Sequence, residues 1–428
     1  MGILIFLLPR RLAFLPIVIT ACYITLGQEI LISVFHFPAM RLIILFAWLR
    51  LIVRGEVSAL RLNRIDKAII CWVISGFVIY NLQWQTSDAL VYRLGVVYNA
   101  IGIYFAFRFF IRNFNDVEII LKVLSIVIIP VAIAMLYEHS TGRNIFSVFG
   151  GVEEISGMRE GRFRSQGAFR HPILAGTFGA TLVPMLIAAW FKGKNFRPFA
   201  AAGVISGTII MVTSFSSGPL ITYISGLVGL FIWSFRKHMR AIRWGILFTL
   251  ISLHMVMKAP VWFLISRIAD LLGGSGWHRS YLIEQAIAHF GEWWLLGMRY
   301  TADWFPYGLA ISSTATDITN QYIAEGIMGG LITLILFIVV IISCFKTVGL
   351  SLKAMEENPF AEKIIVWSLG ASLFAHVIAL TGIGYFDQII VIWYLLLAMI
   401  SAVGDSFNVQ IGMRISSSGA KSPLQNLA

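Results

Sequence analysis

Charge is what this chain has least of. Only 13% of its 428 residues are charged while 58% are hydrophobic, and the mean hydropathy is +0.83, which excludes both a soluble globular domain and a solvated disordered chain. Cysteine is scarce too: Cys22, Cys71 and Cys344 fall inside apolar runs with no spacing for a metal or a disulfide framework, so they read as small hydrophobes. Asp-x-Asp, His-Glu-x-x-His and clustered Cys/His patterns are missing, and neither a metal nor a cofactor is expected. Period-two alternation is missing as well, which excludes a membrane β-barrel. The start, Met1 to Arg11, lacks a small-residue cleavage site and is read as part of the mature chain.

What is present is one apolar run after another, so the expected fold is all-α, a polytopic membrane protein forming one membrane domain over 1–428. The hydropathy pattern predicts about twelve spans: 12–27, 40–53, 67–82, 93–110, 117–138, 172–191, 198–214, 219–235, 243–257, 320–345, 363–380 and 385–404. Alternate connections are basic: Arg50, Arg54, Arg61, Arg64 and Lys67; Arg108 and Arg112; Lys192, Lys194 and Arg197; Arg236, Lys237, Arg240 and Arg243; Lys346, Lys353 and Lys363. These connections are expected on the cytoplasmic side, with both termini beside them. The net charge of +12 sits largely there, where it serves topology and anionic lipid rather than nucleic acid. The tail 416–428 reads as disordered and cytoplasmic.

Two long connections, 139–171 and 258–319, interrupt the pattern and are expected to face outward. The first carries Arg143, Arg159, Arg162, Arg164, Arg170 and His171; the second carries Lys258, Arg267, His278, Arg279, His289 and Arg299. In the second, Ile265 to Leu272 and Tyr281 to Leu296 have helical apolar spacing, which predicts amphipathic helices over the membrane surface. Trp277, Trp293, Trp294 and Trp304 suit either that interface or stacking on sugar rings. Gly273 to Gly276 could wrap a phosphate, but it lacks the ending of a nucleotide loop and reads as a flexible turn.

Outside the cytoplasm a synthetic reaction needs a donor that arrives activated, such as a polyprenyl-diphosphate glycan. Arginine suits its leaving group, because a planar guanidinium grips phosphate oxygens in pairs and stays charged. Within Arg162-Phe163-Arg164-Ser165-Gln166-Gly167-Ala168-Phe169-Arg170-His171-Pro172, the residues Arg164, Gly167, Phe169 and Pro172 form an Arg-x-x-Gly-x-Phe-x-x-Pro pattern entering an apolar run. A second pattern starts at Arg279 and continues through Leu282, Ala286, Phe290 and Leu296-Gly297. A third is Asn320-Gln321-Tyr322-Ile323 with Glu325-Gly326 and Gly329-Gly330-Leu331. Together these resemble the O-antigen ligase family, the lipopolysaccharide O-antigen ligases and related polysaccharide polymerases. One position departs from the pattern, since Thr319 stands where the family has a histidine before its asparagine.

That resemblance implies a glycosyltransferase of a bacterial inner membrane. It would move a glycan from a polyprenyl diphosphate such as undecaprenyl diphosphate to an acceptor hydroxyl, with inversion at the anomeric carbon, during surface polysaccharide or lipopolysaccharide synthesis. The acceptor would be another lipid-linked repeat for a polymerase or a lipid A core for a ligase, and polysaccharide assembly proteins are candidate partners. Arg164 and Arg279, with Arg170 and Arg299, are the expected diphosphate ligands; Gly167, Pro172 and Asn320 support the motifs. The alternative for Arg164 and Arg279 is salt bridging to Glu153, Glu154, Glu160 or Glu284. Asp317 is the preferred general base, with His278 and His171 behind it. Helix capping by Asp317 or Thr319 would explain that segment equally well. The competing function is transport of a lipid-linked sugar, which predicts ionisable residues or broken helices within the bilayer.

Overall fold

The computed structural model describes every residue except 33–34, 58–59, 272–275, 306–314 and 420–428. It is helical almost throughout. A first group of helices comprises α1 (Gly2–Leu7), α2 (Leu15–Tyr23), α3 (Ala39–Val53), α4 (Arg64–Trp84), α5 (Ser87–Phe110) and α6 (Phe114–Thr141). After the first long connection come α7 (Pro172–Ala189), α8 (Arg197–Thr213), α9 (Ser217–Phe231) and α10 (Met239–Val256). The second long connection contains α11 (Leu264–Leu271), α12 (Trp277–Ala288) and the single turn α13 (Phe290–Trp293), and the chain closes with α14 (Gln321–Ala354), α15 (Phe360–Ala379) and α16 (Ile389–Gly419). Two antiparallel hairpins are the only sheets among the described residues: β1 (Glu29–Ile32) with β2 (Phe35–Pro38), and β3 (Met158–Arg159) with β4 (Arg162–Phe163).

Eight helical segments are long and apolar enough to cross a membrane, where the hydropathy pattern predicts twelve spans. Every predicted span contains helix, so the difference lies in length and connection. The segment 12–27 holds only the nine residues of α2, and 40–53 lies within the fifteen residues of α3. At 1.5 Å per residue these reach about 14 and about 23 Å, short of the roughly 30 Å of hydrocarbon. Helix α8, at seventeen residues, also falls below the length of a full span. The predicted turn between 219–235 and 243–257 is itself helical: Ile232–His238 continues α9 as a 3₁₀ helix into α10, because no glycine or proline between Ile232 and Arg243 ends it. The last helix likewise runs to Gly419, so 416–419 is helical where disorder is expected, and 420–428 lies outside the described residues.

Helices α7 and α16 are the most enclosed, and the others pack around them. The helix ends sort into two groups. At one end, Asp66 is buried against Tyr104 (2.6 Å) and Arg108 (2.9 Å), Arg108 also reaches Asp405 at 2.7 Å, Arg10 pairs with Asp116 at 3.1 Å, and Lys192 pairs with Glu118. These pairs join several of the basic connections to one another. Buried charges of this kind hold helix register only because each is matched; removing one partner leaves an uncompensated charge. At the other end lie both long connections.

The second of them builds a small core of its own: Leu282, Ala286, Trp293, Trp304 and Phe305 pack with Ile327 of α14. Trp293 and Trp304 are therefore core residues rather than sugar platforms, whereas Trp277 and Trp294 remain exposed. The connection is fastened to α14 where that helix breaks. Gly330 has φ 67° and ψ 179°, a conformation essentially reserved for glycine. The gap is closed by the second connection, with the Met298 N–H donating to the Ile327 carbonyl (2.9 Å) and the Leu331 N–H to the Trp294 carbonyl (2.7 Å). A methyl group on Gly330 would press into the Leu295 carbonyl. Gly330→Ala is expected to destabilise the protein by about 1–3 kcal/mol from backbone strain alone and to speed proteolysis near Trp294 to Tyr300. Thermal unfolding in detergent with limited proteolysis checks this; an unchanged Tm and cleavage pattern would show that the break is dispensable.

Candidate functional site

The first long connection takes its shape from one carboxylate. Glu138, buried in the last turns of α6, accepts hydrogen bonds from the Ser156 hydroxyl (2.6 Å), the Gln166 N–H (3.0 Å) and the Gly167 N–H (2.8 Å). Gly167 sits in the left-handed region at φ 59°, and a Cβ there would press on Met135, so glycine is what allows the chain to double back onto Glu138. Two residues on, Phe169 is buried against Phe178 (5.1 Å between ring centroids) and the Ala168 carbonyl accepts from Gln388 (2.6 Å). Pro172 then opens α7, where a missing N–H costs nothing. Gly167, Phe169 and Pro172 are thus the scaffold that aims Arg164.

Arg164 meets Arg279 across a cleft of about 200 Å³ lined also by Arg159, His171, Ile173, Ser216, Ser217 and Gly218. The Arg164 Nη2 donates to Ser216 Oγ at 2.8 Å, while its Nε is buried and unpartnered. Arg279 reaches in from the first turn of α12 and lies against Gly382, where a Cβ would crowd its guanidinium, with Gly218 beside it. Neither Arg164 nor Arg279 forms an ion pair among the described residues, so the salt bridges to Glu153, Glu154, Glu160 or Glu284 weighed above are not made. Burial, and next the charge of Arg159, lowers the pKa of both arginines from the ordinary value, yet a guanidinium remains protonated at neutral pH. Arg159 itself lies 3.9 Å from Glu160. Arg164 and Arg279 are thus brought together beside Arg159 without an ion pair of their own among the described residues.

The far wall is the start of α9. Ser216 is its N-cap but makes no side-chain capping bond, and the first-turn N–H groups have no partner within the helix. Phe215 just before it has φ 41°, an uncommon conformation for a bulky residue, which turns Ser216 toward Arg164. The positive end of the helix dipole adds to the field of the arginines.

His171 caps α7: its Nδ1 accepts from the Ile173 N–H at 3.1 Å. In a neutral ring the proton then sits on Nε2, so His171 can donate a hydrogen bond but cannot accept a proton there. Burial and then the Arg164 charge pull its pKa down to about 4, and the side of the ring open to solvent moderates that shift without reversing it. This turns the expectation of His171 as a base into a neutral donor.

The remaining predicted residues lie elsewhere. Arg170 is 65% exposed and faces Asp387 at 3.7 Å. Arg299 donates through Nε and Nη2 to the Gln83 carbonyl and lies over Trp84, so it clasps the second connection to α4. Neither lines the cleft. Asn320 is the N-cap of α14, accepting from the Tyr322 and Ile323 N–H groups (3.0 and 3.2 Å), so neither Asp317 nor Thr319 caps that helix. Thr319 Oγ1 instead faces His278 Nδ1 at 3.5 Å. Of Gly273 to Gly276, residues 273–275 lie outside the described residues. Arg159 and the Ser216 to Gly218 turn are the site residues not singled out from sequence, although Ser-Ser-Gly-Pro before an apolar run is a recognisable helix start.

In ¹⁵N-histidine spectra of the protein in micelles, His171 is expected to be neutral with its proton on Nε2 at pH 7 and to titrate near 4. Because its folded pKa lies below the unfolded value near 6.5, its contribution to stability is complete above about pH 6.5 and is lost as the pH falls toward 4. A midpoint at 6.5 would return His171 to the list of cations.

No protein-family model matches this chain, and no curated protein matches it in sequence, so its likeness to the O-antigen ligases rests on the short motifs around Arg164, Arg279 and Asn320.

Proposed function

We propose that the protein is a membrane glycosyltransferase that takes a glycan from a polyprenyl-diphosphate donor and transfers it to an acceptor hydroxyl, on the side of the membrane where the two long connections lie. The observation that carries this reading is the convergence of Arg159, Arg164 and Arg279 in one cleft, with Arg164 and Arg279 unpaired among the described residues. Like charges held together in partial burial favour an anion strongly, and a diphosphate offers several oxygens at once. Each charge-assisted hydrogen bond contributes about 1.5–3 kcal/mol. Those bonds strengthen as the donor bond breaks and charge builds on the leaving group, so they lower the barrier as well as bind. His171 adds a neutral donor, and the open N–H groups of α9 add two more at Ser217 and Gly218. Next to the cleft a second cavity of about 210 Å³ shares Arg159, Ser216 and Ser217 with it and is also lined by Glu160; Met211, Val212, Phe215 and Leu220 give it an apolar side against which the lipid part of such a donor would lie. The reading covers both a polymerase and a ligase, which differ only in the acceptor.

A transporter of lipid-linked sugar is a second reading, favoured by the break in α14 and by the ionisable Arg93 and Glu325 near it. Yet that break is bridged by backbone hydrogen bonds from the second connection, and Glu325 is held by Trp72 (2.8 Å) and Gln321 (2.7 Å). Those contacts suit a fastened joint better than a moving gate.

Arg164→Ala and Arg279→Ala are each expected to weaken binding of undecaprenyl diphosphate by tenfold or more, about 1.4 kcal/mol or above, and to stop polysaccharide formation in cells. Lysine at either position should restore only part, because an ammonium lacks the planar fork. Folded alanine variants that bind and synthesise like the wild type would end this assignment. Movement of a lipid-linked sugar across reconstituted vesicles, with no new glycosidic bond, would replace it with the transporter.

A further inference from the structure

The cleft supplies an anion site but no proton acceptor: its arginines are charged, and the His171 Nδ1 is engaged as a cap. The first turn of α12 carries Arg279 into the cleft and, one residue earlier, His278 toward the segment that leads into α14. Two contacts hold this second ring, and one nearby charge acts on it. Its Nδ1 faces Thr319 Oγ1 at 3.5 Å; its face stacks on buried Phe305, with centroids 4.7 Å apart and planes at 16°; and Asp317 lies near enough to act on its charge. The Thr319 segment is itself anchored, since the neighbouring Asn320 caps α14 and donates to the Thr381 carbonyl at 3.0 Å. No hydrogen bond engages His278 Nε2 among the described residues.

From this arrangement we infer that His278 is the general base that activates the acceptor hydroxyl, with Thr319 and Asp317 as its positioning residues. The inference rests on the glycosyltransferase reading above. When Nδ1–H donates to Thr319 Oγ1, the Nε2 lone pair is left unengaged, which is the tautomer a base needs. The acceptor O–H gives its proton to Nε2 as its oxygen forms the bond to the anomeric carbon. The bond from that carbon to the phosphate oxygen breaks in the same step, and its electron pair leaves with the polyprenyl diphosphate, held by Arg164 and Arg279. The imidazolium so formed is favoured by the negative charge of Asp317 and later returns its proton to solvent. Phosphate clamp and base stand on successive residues of one helical turn, so they leave the helix about 100° apart.

The charged groups acting on His278 are Arg279 from its own helix and Asp317 from the segment before α14. Burial lowers its pKa from the usual value, Asp317 works against that and Arg279 adds a smaller lowering, so the ring is neutral and ready to accept at pH 7. Thr319, being beside Nδ1, also marks a place from which an introduced imidazole reaches the same space.

The test uses membranes of the producing cell, which hold their own lipid-linked glycan, and purified full-length protein for binding of undecaprenyl diphosphate. His278→Gln should lower polymer formation by a hundredfold or more, within the range a general base contributes, while binding undecaprenyl diphosphate as the wild type does. Asp317→Asn should retain much of the activity and move the acid limb of the pH–rate profile to lower pH, because the charge that raises the His278 pKa is gone. Thr319→His should restore part of the activity in a His278→Ala background. Wild-type rates in His278→Gln, or complete loss in Asp317→Asn with no loss in His278→Gln, would overturn the assignment and leave the diphosphate site standing. Absence of any glycosidic bond formation by the wild type would overturn the functional reading and this inference with it.

Discussion

Three donors on one carboxylate decide where the first long connection goes. Glu138 stands at the end of a membrane-length helix, out of contact with bulk water, and a carboxylate there is tolerable only when its oxygens are fully engaged. The Ser156 hydroxyl and the Gln166 and Gly167 N–H groups engage them, and in doing so they draw the chain back over α6. Everything near the cleft follows from that fold-back: the left-handed Gly167, the burial of Phe169, the proline entry into α7 and the direction of Arg164. The Arg-x-x-Gly-x-Phe-x-x-Pro pattern is thus mostly architecture that aims Arg164 into the cleft.

Placing Arg164 beside Arg279 and Arg159 runs against electrostatics, and the fold compensates by rigidity rather than by counter-charge. Gly382 and Gly218 leave a slot for Arg279, Ser216 fixes Arg164, and the break in α14 lets the second connection dock so that α12 lies over the cleft. A site of this kind is preorganised for an anion, since the cost of bringing the cations together is met in folding rather than at binding. The two histidines near it differ for a simple reason. The cap at Ile173 occupies the Nδ1 lone pair of His171, whereas Thr319 and Asp317 leave the Nε2 of His278 available.

Much of this was legible in the sequence, unevenly. Apolar runs located helices well because helix in hydrocarbon needs only continuous apolar side chains. They failed at α2, where an apolar run holds a nine-residue helix followed by a hairpin, and at Ile232 to His238, where basic residues suggest a turn but nothing breaks the helix. Among site residues, Arg164 and Arg279 were found through motif spacing and do meet in the cleft. Arg170 and Arg299 share their charge and their connections but point to Asp387 and to the Gln83 carbonyl. Motif position separates the two pairs, whereas charge and location in a long connection do not.

By itself the sequence determined the helical class, the outline of most membrane-length segments and the residues from which an anion site could be made, because hydropathy and residue chemistry are local properties. Only the tertiary structure decided which arginines converge, which histidine caps a helix through its Nδ1 and that Thr319 stands beside His278. Those outcomes depend on contacts between α6, α9, α12 and α14, residues separated by up to about two hundred positions, and on where each side chain finds its hydrogen-bond partner.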